Sequence, residues 1–202
     1  MLSHKVYNHF RLSATVGPKF HGLPKIHHPD VPLRPIVASQ GSPTYNLAKY
    51  LAEILKPLVG KSEHHVVNSK EFITKIEQTK LDEDEILLRV DVVSLFTNVP
   101  VDEACNIAKE RVLLDNTLHL RTTLSPENIY DLLKLCLTTT CSQWREKFYQ
   151  QTHGAPMGSP LSPVIANLFM GELEKKALAT LMLKPGFWFR YVDDILSSWA
   201  MV

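Results

Sequence analysis

Phe187-Trp188-Phe189-Arg190-Tyr191-Val192-Asp193-Asp194-Ile195-Leu196-Ser197-Ser198-Trp199 is an aromatic and β-branched run interrupted by two adjacent acids. The run up to Val192 favours a strand, and the residues from Ile195 to Trp199 read as a return strand. Two carboxylates therefore sit at a hairpin tip between apolar arms. Asp is common in turns because it hydrogen-bonds its own backbone. The other reading is a metal site, since oxygen ligands suit Mg²⁺, which takes one or two carboxylates plus substrate phosphates. The pair alone does not choose between them, so the rest of the chain must supply or withhold the parts of a phosphoryl-transfer site.

The chain has 202 residues, 45% hydrophobic and 21% charged, which is enough apolar material to bury a core in one domain or two small ones. No apolar run approaches the ~20 residues of a membrane span, and no signal peptide is evident. Cys105, Cys136 and Cys141 are too few and too scattered for a disulfide framework or a zinc site. They read as buried thiols in a reducing compartment. The pairs His27-His28 and His64-His65 lack ligand spacing and read as surface residues. The net charge of +1 hides a gradient: residues 1–61 carry eight Lys/Arg against two Asp/Glu, the remainder fourteen against nineteen. A basic first third suits an anionic partner.

Residues 22–39 contain four prolines and read as a strand, a turn and a second strand over residues 34–38. Lys25 and Arg34 lie on the two arms and could face one anion. Ser42-Pro43 reads as the cap and first position of a helix bearing Leu47, Tyr50, Leu51, Ile54, Leu55 and Leu58. Asn68 with Glu71 predicts a capping box. Residues 86–93 form a short apolar strand, buried on at least one face, with Asp91 near its end. A carboxylate there is costly unless paired or metal-bound. Helices follow from about Val101 and from Ser125, then two polar strands around residues 143–146. Gly154-Ala155-Pro156-Met157-Gly158-Ser159-Pro160 is a defined loop, with Ser159 or Ser162 as cap of a helix bearing Leu161, Ile165, Leu168, Phe169 and Leu173. Glycines ahead of a helix allow close approach of backbone to a nucleotide or template. If the strands ending at Asp91 and at Asp193-Asp194 are neighbours, three carboxylates converge. Two metals ~4 Å apart would neutralise them and clamp an in-line phosphoryl transfer.

Five stretches in order carry a family resemblance: residues 22–27 (G-L-P-K-I-H), 34–39 (R-P-I-V-A-S), 91–100 (D-V-V-S-L-F-T-N-V-P), 154–170 (G-A-P-M-G-S-P-L-S-P-V-I-A-N-L-F-M) and 190–196 (R-Y-V-D-D-I-L). Together they resemble the reverse transcriptases, most closely the Penelope-like retroelements, relatives of telomerase reverse transcriptase. The resemblance implies that Asp91, Asp193 and Asp194 are catalytic, metal-binding carboxylates for two divalent cations, Mg²⁺ or Mn²⁺. It implies that Lys25 and Arg34 hold the incoming triphosphate and that Phe96 is a steric gate against a ribose 2′-hydroxyl. Gly154, Pro156 and Gly158 would line the nucleotide, and Tyr191 and Met157 the primer and template. Met157 stands where many reverse transcriptases carry Gln, so that residue's amide hydrogen bond is not available from its thioether.

The fold implied is α+β, with a basic fingers-like region over residues 1–85 and a partial palm over residues 86–202, cut off after the Asp-Asp hairpin and lacking a thumb. The function implied is RNA-directed DNA synthesis from an RNA template, a DNA primer and deoxynucleoside triphosphates, inside the cell and in the nucleus, without a membrane partner. Two other readings stay open on the residues: a non-catalytic relic that binds nucleic acid or a partner protein, and a palm-type nucleotidyl transferase or cyclase.

Overall fold

The structure, a computed structural model, describes residues 17–26 and 29–201. The two proline-rich arms form β1 (Lys19–Pro24) and β2 (Leu33–Ala38), paired antiparallel from Lys19 opposite Ala38 to Pro24 opposite Leu33. His27 and His28 lie outside the described residues. Helix α1 (Tyr45–Leu55) begins later than the Ser-Pro pair suggests. Its cap position is Thr44, and Ser42 instead forms a preceding turn in which its carbonyl accepts from Tyr45. The capping signal at Asn68 is real: in α2 (Ser69–Gln78) the Asn68 carboxamide accepts from the Glu71 N–H at 3.0 Å. The Glu71 carboxylate reaches back to the Val67 N–H at 2.7 Å.

β3 (Glu85–Asp91) is followed by a single turn of helix, α3 (Leu95–Asn98), and then by α4 (Val101–Leu113) and α5 (Pro126–Thr138). Ser125 caps α5 by accepting from Asn128. β4 (Cys141–Trp144) and β5 (Lys147–Gln150) are joined by Arg145 and Glu146, both at positive φ, as a tight two-residue hairpin turn demands. Parallel pairing of Lys19 with Gln143 adds this hairpin to the first two strands, giving a four-stranded sheet ordered β2-β1-β4-β5. That sheet thus draws its strands from both sides of residue 85.

α6 (Ser162–Thr180) packs with α1, α4 and α5 into the main core. Leu51, Leu55, Val112, Ile129, Leu133, Leu161 and Ile165 are at most 1% exposed there. Each such aliphatic side chain contributes roughly 1.5–3 kcal/mol by leaving water. Cys105 and Cys136 belong to this core, and burial pushes both thiols up to about 12. Cys141 is exposed, contrary to the expectation of three buried thiols. Neither Ser159 nor Ser162 caps α6: Leu161 occupies the cap position, and the Ser162 hydroxyl donates to the Pro156 carbonyl at 2.8 Å.

The acid-bearing run forms β6 (Trp188–Tyr191) and β7 (Asp194–Ala200). With β3 they make a second sheet ordered β3-β7-β6. β3 is an edge strand and corrects the expectation of burial. Ile86, Leu87, Leu88 and Val90 are 40–50% exposed, because among the described residues only β7 covers that edge. Among the described residues no helix is long and apolar enough to cross a membrane.

Candidate active site

The register of the second sheet settles which side chains meet. Asp194 pairs with Tyr191 across the β6–β7 hairpin and with Asp91 across the β3–β7 ladder. Directly opposed residues share a face, so Tyr191, Asp194 and Asp91 form one row across three strands. Asp193 is at the hairpin tip, and its carbonyl accepts from the Val92 N–H at 2.9 Å. The two halves of the acidic constellation, 102 residues apart in sequence, are thereby neighbours. Asp91 and Asp194 are exposed and Asp193 is half-buried. A cleft of about 340 Å³ on the same sheet face is lined by Phe72 of α2 with Arg89, Phe189, Tyr191, Asp194 and Leu196.

The turn between Tyr191 and Asp194 holds Val192 at φ 56, a conformation that a β-branched residue adopts only under constraint. Arg190 supplies the constraint. It is 1% exposed; its Nε donates to Glu174 at 2.7 Å and its Nη1 to Asn167 and to the Val192 carbonyl. Glu174 also accepts from the Trp188 indole at 2.9 Å. The residues before α2 complete the support: His64 and Val66 exchange backbone hydrogen bonds with Arg190. Lys75 donates to the carbonyls of Glu63 and His65. His65 is accordingly not a surface residue in function. Burial, and then the Arg190 charge, push its imidazole below the ordinary value.

The loop at residues 154–158 ties the first sheet to α3. Ala155 N–H donates to the Phe96 carbonyl at 2.7 Å, and Val37 N–H to the Met157 carbonyl at 2.8 Å. Gly154 has φ +74 and lies against the Thr97 backbone; Gly158 has φ +112 and lies against the Val37 carbonyl. A Cβ at either position would collide with main chain, which explains both glycines better than nucleotide approach alone. Phe96 is half-buried against the core beside this loop. Pro156 is buried within the loop. Met157 lines a cleft of about 430 Å³ with Phe20, Pro35, Val37, Trp144 and Tyr149.

Lys25 and Arg34 stand apart from the carboxylates. Leu23 opposes Arg34, and the Lys25 N–H continues the ladder to Pro32 at 2.9 Å. Strand alternation puts both basic side chains on one face of the hairpin, opposite to the face of Pro35 and Val37. Among the described residues no hydrogen bond or ion pair links either of them to Asp91, Asp193 or Asp194.

Arg89 was not singled out from the sequence, although it lies two residues before Asp91 on the same strand face. Its guanidinium meets Asp194 at 2.9 Å, and that contact raises its pKa above the ordinary value. Among the described residues no group of three His, Cys, Asp or Glu stands ready to hold an ion. The donor set nonetheless suits a hard cation: three carboxylates at or beside adjoining strand ends, of which the side-chain oxygens of Asp91 and Asp193 accept no hydrogen bond among the described residues. Replacing Arg89 by Met removes a competing cation, so Mn²⁺ affinity measured by calorimetry should rise roughly fivefold at low salt. Unchanged or weaker binding would show that the ion pair does not compete with metal.

The fold and the site define a mixed α+β protein with Asp91 and Asp194 opposed across a sheet. The sequence pattern described as reverse transcriptase (RNA-dependent DNA polymerase) matches residues 33–199, and the chain belongs to that family. No curated protein matches it. Among solved structures, a telomerase from Candida tropicalis in complex with a fragment of telomeric RNA superposes with TM-score 0.65 at 13% identity. The match covers 95% of this chain and 37% of the telomerase. A Candida albicans telomerase with the corresponding RNA fragment gives 0.63 at 11% identity, over 98% of this chain and 39% of the other. An RNA polymerase complex inside a double-stranded RNA virus gives 0.54 at 12% identity, over 99% and 19%. At these identities the likeness is one of fold, and the chain spans less than half the length of these structures.

Proposed function

We propose that the chain is the catalytic portion of an RNA-directed DNA polymerase of the Penelope-like kind, acting on an RNA template, a DNA primer and deoxynucleoside triphosphates in the nucleus. Residues 1–85 serve as its basic fingers-like region and residues 86–202 as a partial palm, with the β4–β5 hairpin lent to the first sheet. The observation that carries this reading is the row Tyr191, Asp194, Asp91 with Asp193 at the tip, inside the family match. Coverage of under half of the telomerase chains fits a part of a longer polymerase whose thumb lies outside these residues.

Asp91, Asp193 and Asp194 would hold two divalent cations, which supply charge neutralisation and a clamp on the attacking and leaving oxygens of in-line transfer. The side chains of this chain do the positioning. Tyr191 flanks the carboxylate row where a primer end would meet it. Phe96 presents its ring beside the 154–158 loop under the sugar. Lys25 and Arg34, both without an ion-pair partner among the described residues, offer charge to a triphosphate. Their distance from the carboxylates is spanned by the substrate itself or by a closing movement of the first sheet.

The test is extension of a labelled DNA primer on an RNA template with Mg²⁺ or Mn²⁺. Weak, salt-sensitive extension is expected of the 202-residue chain, because the basic N-terminal third is its main hold on nucleic acid. Complete absence of template-dependent incorporation, even in Mn²⁺ at low salt, with normal nucleic-acid binding would favour the non-catalytic reading instead. Sugar choice gives a separate check. Phe96→Ala should raise ribonucleotide relative to deoxyribonucleotide incorporation by about tenfold or more, as loss of a specific steric exclusion does. An unchanged ratio would move the gate to another residue.

A further inference from the structure

Behind the acid hairpin, on the helix-covered side of the second sheet, is a cavity of about 690 Å³ that the polymerase reading does not use. Its wall combines the segment after α1, residues 58–65, with Arg111 of α4 and with Asn167, Leu168, Gly171, Lys175 and Leu178 of α6. Arg190 lines it from the sheet side. We propose that this cavity binds a phosphoryl anion, either free or carried on a mononucleotide, at a site separate from the carboxylates. The inference is independent of the polymerase reading.

Two side-chain nitrogens on the lining, without a hydrogen-bond partner among the described residues, point to a ligand. Arg190 is 1% exposed; its Nε and Nη1 are bonded, but its Nη2 makes no hydrogen bond among the described residues. The His65 Nδ1 is buried and also has no partner. The guanidinium edge left open beside the cavity is a donor awaiting an acceptor, the imidazole nitrogen donates in one of its two tautomers, and buried polar groups are otherwise almost always satisfied. At the rim, Lys61 and Lys175 add two cations with no ion-pair partner among the described residues. Glu63 is the carboxylate on the lining; Glu172 holds Arg111 at 3.0 Å and Glu174 holds Arg190 at 2.7 Å, so the uncompensated positive charge is that of Lys61 and Lys175. A phosphoryl group supplies several anionic acceptor oxygens and matches a guanidinium edge. The volume exceeds that of a bare anion, and Leu58, Val59, Leu168 and Leu178 offer an apolar wall to a base or sugar. Because Arg190 also holds the Val192 carbonyl, occupancy would be felt at the hairpin turn.

The experiment is a ¹⁵N–¹H NMR titration of the 202-residue chain without divalent cations, using inorganic phosphate, AMP and adenosine in turn. Phosphate and AMP should shift the amides of Gly60, Lys61, Gly171 and Lys175 while leaving Asp91 in place. Adenosine should not. Tighter binding of AMP than of phosphate would assign the anion to a nucleotide, and equal binding would assign it to the free ion. The double variant Lys61→Ala/Lys175→Ala, confined to exposed positions, should bind about tenfold more weakly. Absence of shifts at these amides, an equal response to adenosine, or an unaltered affinity in the double variant would overturn the proposal. Primer extension plays no part in the readout, so failure of the polymerase reading leaves this result standing.

Discussion

Replacing Arg190 by Met lowers the unfolding free energy by about 3–5 kcal/mol, the usual cost of removing one partner of a buried ion pair. Arg190 and Glu174 are 1% and 3% exposed, so among the described residues the carboxylate left behind keeps only the Trp188 indole as a hydrogen-bond donor. Glu174 Oε2 already lacks a partner among the described residues, which leaves little reserve to absorb the loss. Against a total stability of ~5–15 kcal/mol, a variant this destabilised is partly unfolded near body temperature. The double variant Arg190→Met/Glu174→Met should recover most of the loss, since apolar replacement of a whole buried pair is often neutral or better. Urea unfolding of the two variants decides the matter. A single-variant loss below about 1 kcal/mol would show that solvent reaches the pair and that it is not the strut of the hairpin.

That strut was not legible in the sequence. Leu161, Ile165 and Leu168 of α6 mark one buried stripe and are buried in the fold, but the same reading put Leu173 inside, and it is 45% exposed. A second stripe runs through Ala166, Met170 and Glu174, and it ends on a charge within a tract of Glu and Lys that reads as a solvated face. Only the arrival of Arg190 from a strand 16 residues later makes a carboxylate tolerable there. The local signals fared better. The acid hairpin, the caps at Asn68 and Ser125 and the β4–β5 turn are written in a few adjacent residues. Register between distant strands is not. Nothing in residues 86–93 says that Asp91 meets Asp194 rather than Asp193, because that depends on pairing across 103 residues. The exposure of β3 has the same origin: its apolar run is suited to burial, while the fold described gives it one neighbour. The glycines of the 154–158 loop suggest room for a ligand, yet the Thr97 and Val37 backbones take up that space.

The register makes the three acids unequal, and the inequality is measurable. Asp91→Asn and Asp193→Asn should each lower template-dependent primer extension by about a thousandfold relative to the unaltered chain, the upper range for loss of one preorganised electrostatic group. Asp194→Asn should cost about tenfold, because Asp194 already spends one oxygen on Arg89 at 2.9 Å and contributes less charge to a bound cation. Asn keeps the size of Asp and its turn-forming hydrogen bond, so the fold should survive at all three positions. Calorimetric Mn²⁺ titration provides a readout that does not depend on turnover. Affinity should fall most for Asp91→Asn and Asp193→Asn, and least for Asp194→Asn. Combining Asp194→Asn with Arg89→Met tests the cause. If the ion pair is what sets Asp194 apart, removing both charges should return Mn²⁺ affinity close to that of the unaltered chain. Equal losses for Asp194→Asn and Asp91→Asn would mean that Arg89 releases Asp194 once metal and substrate arrive. Asp91, Asp193 and Asp194 would then act as a single ligand set.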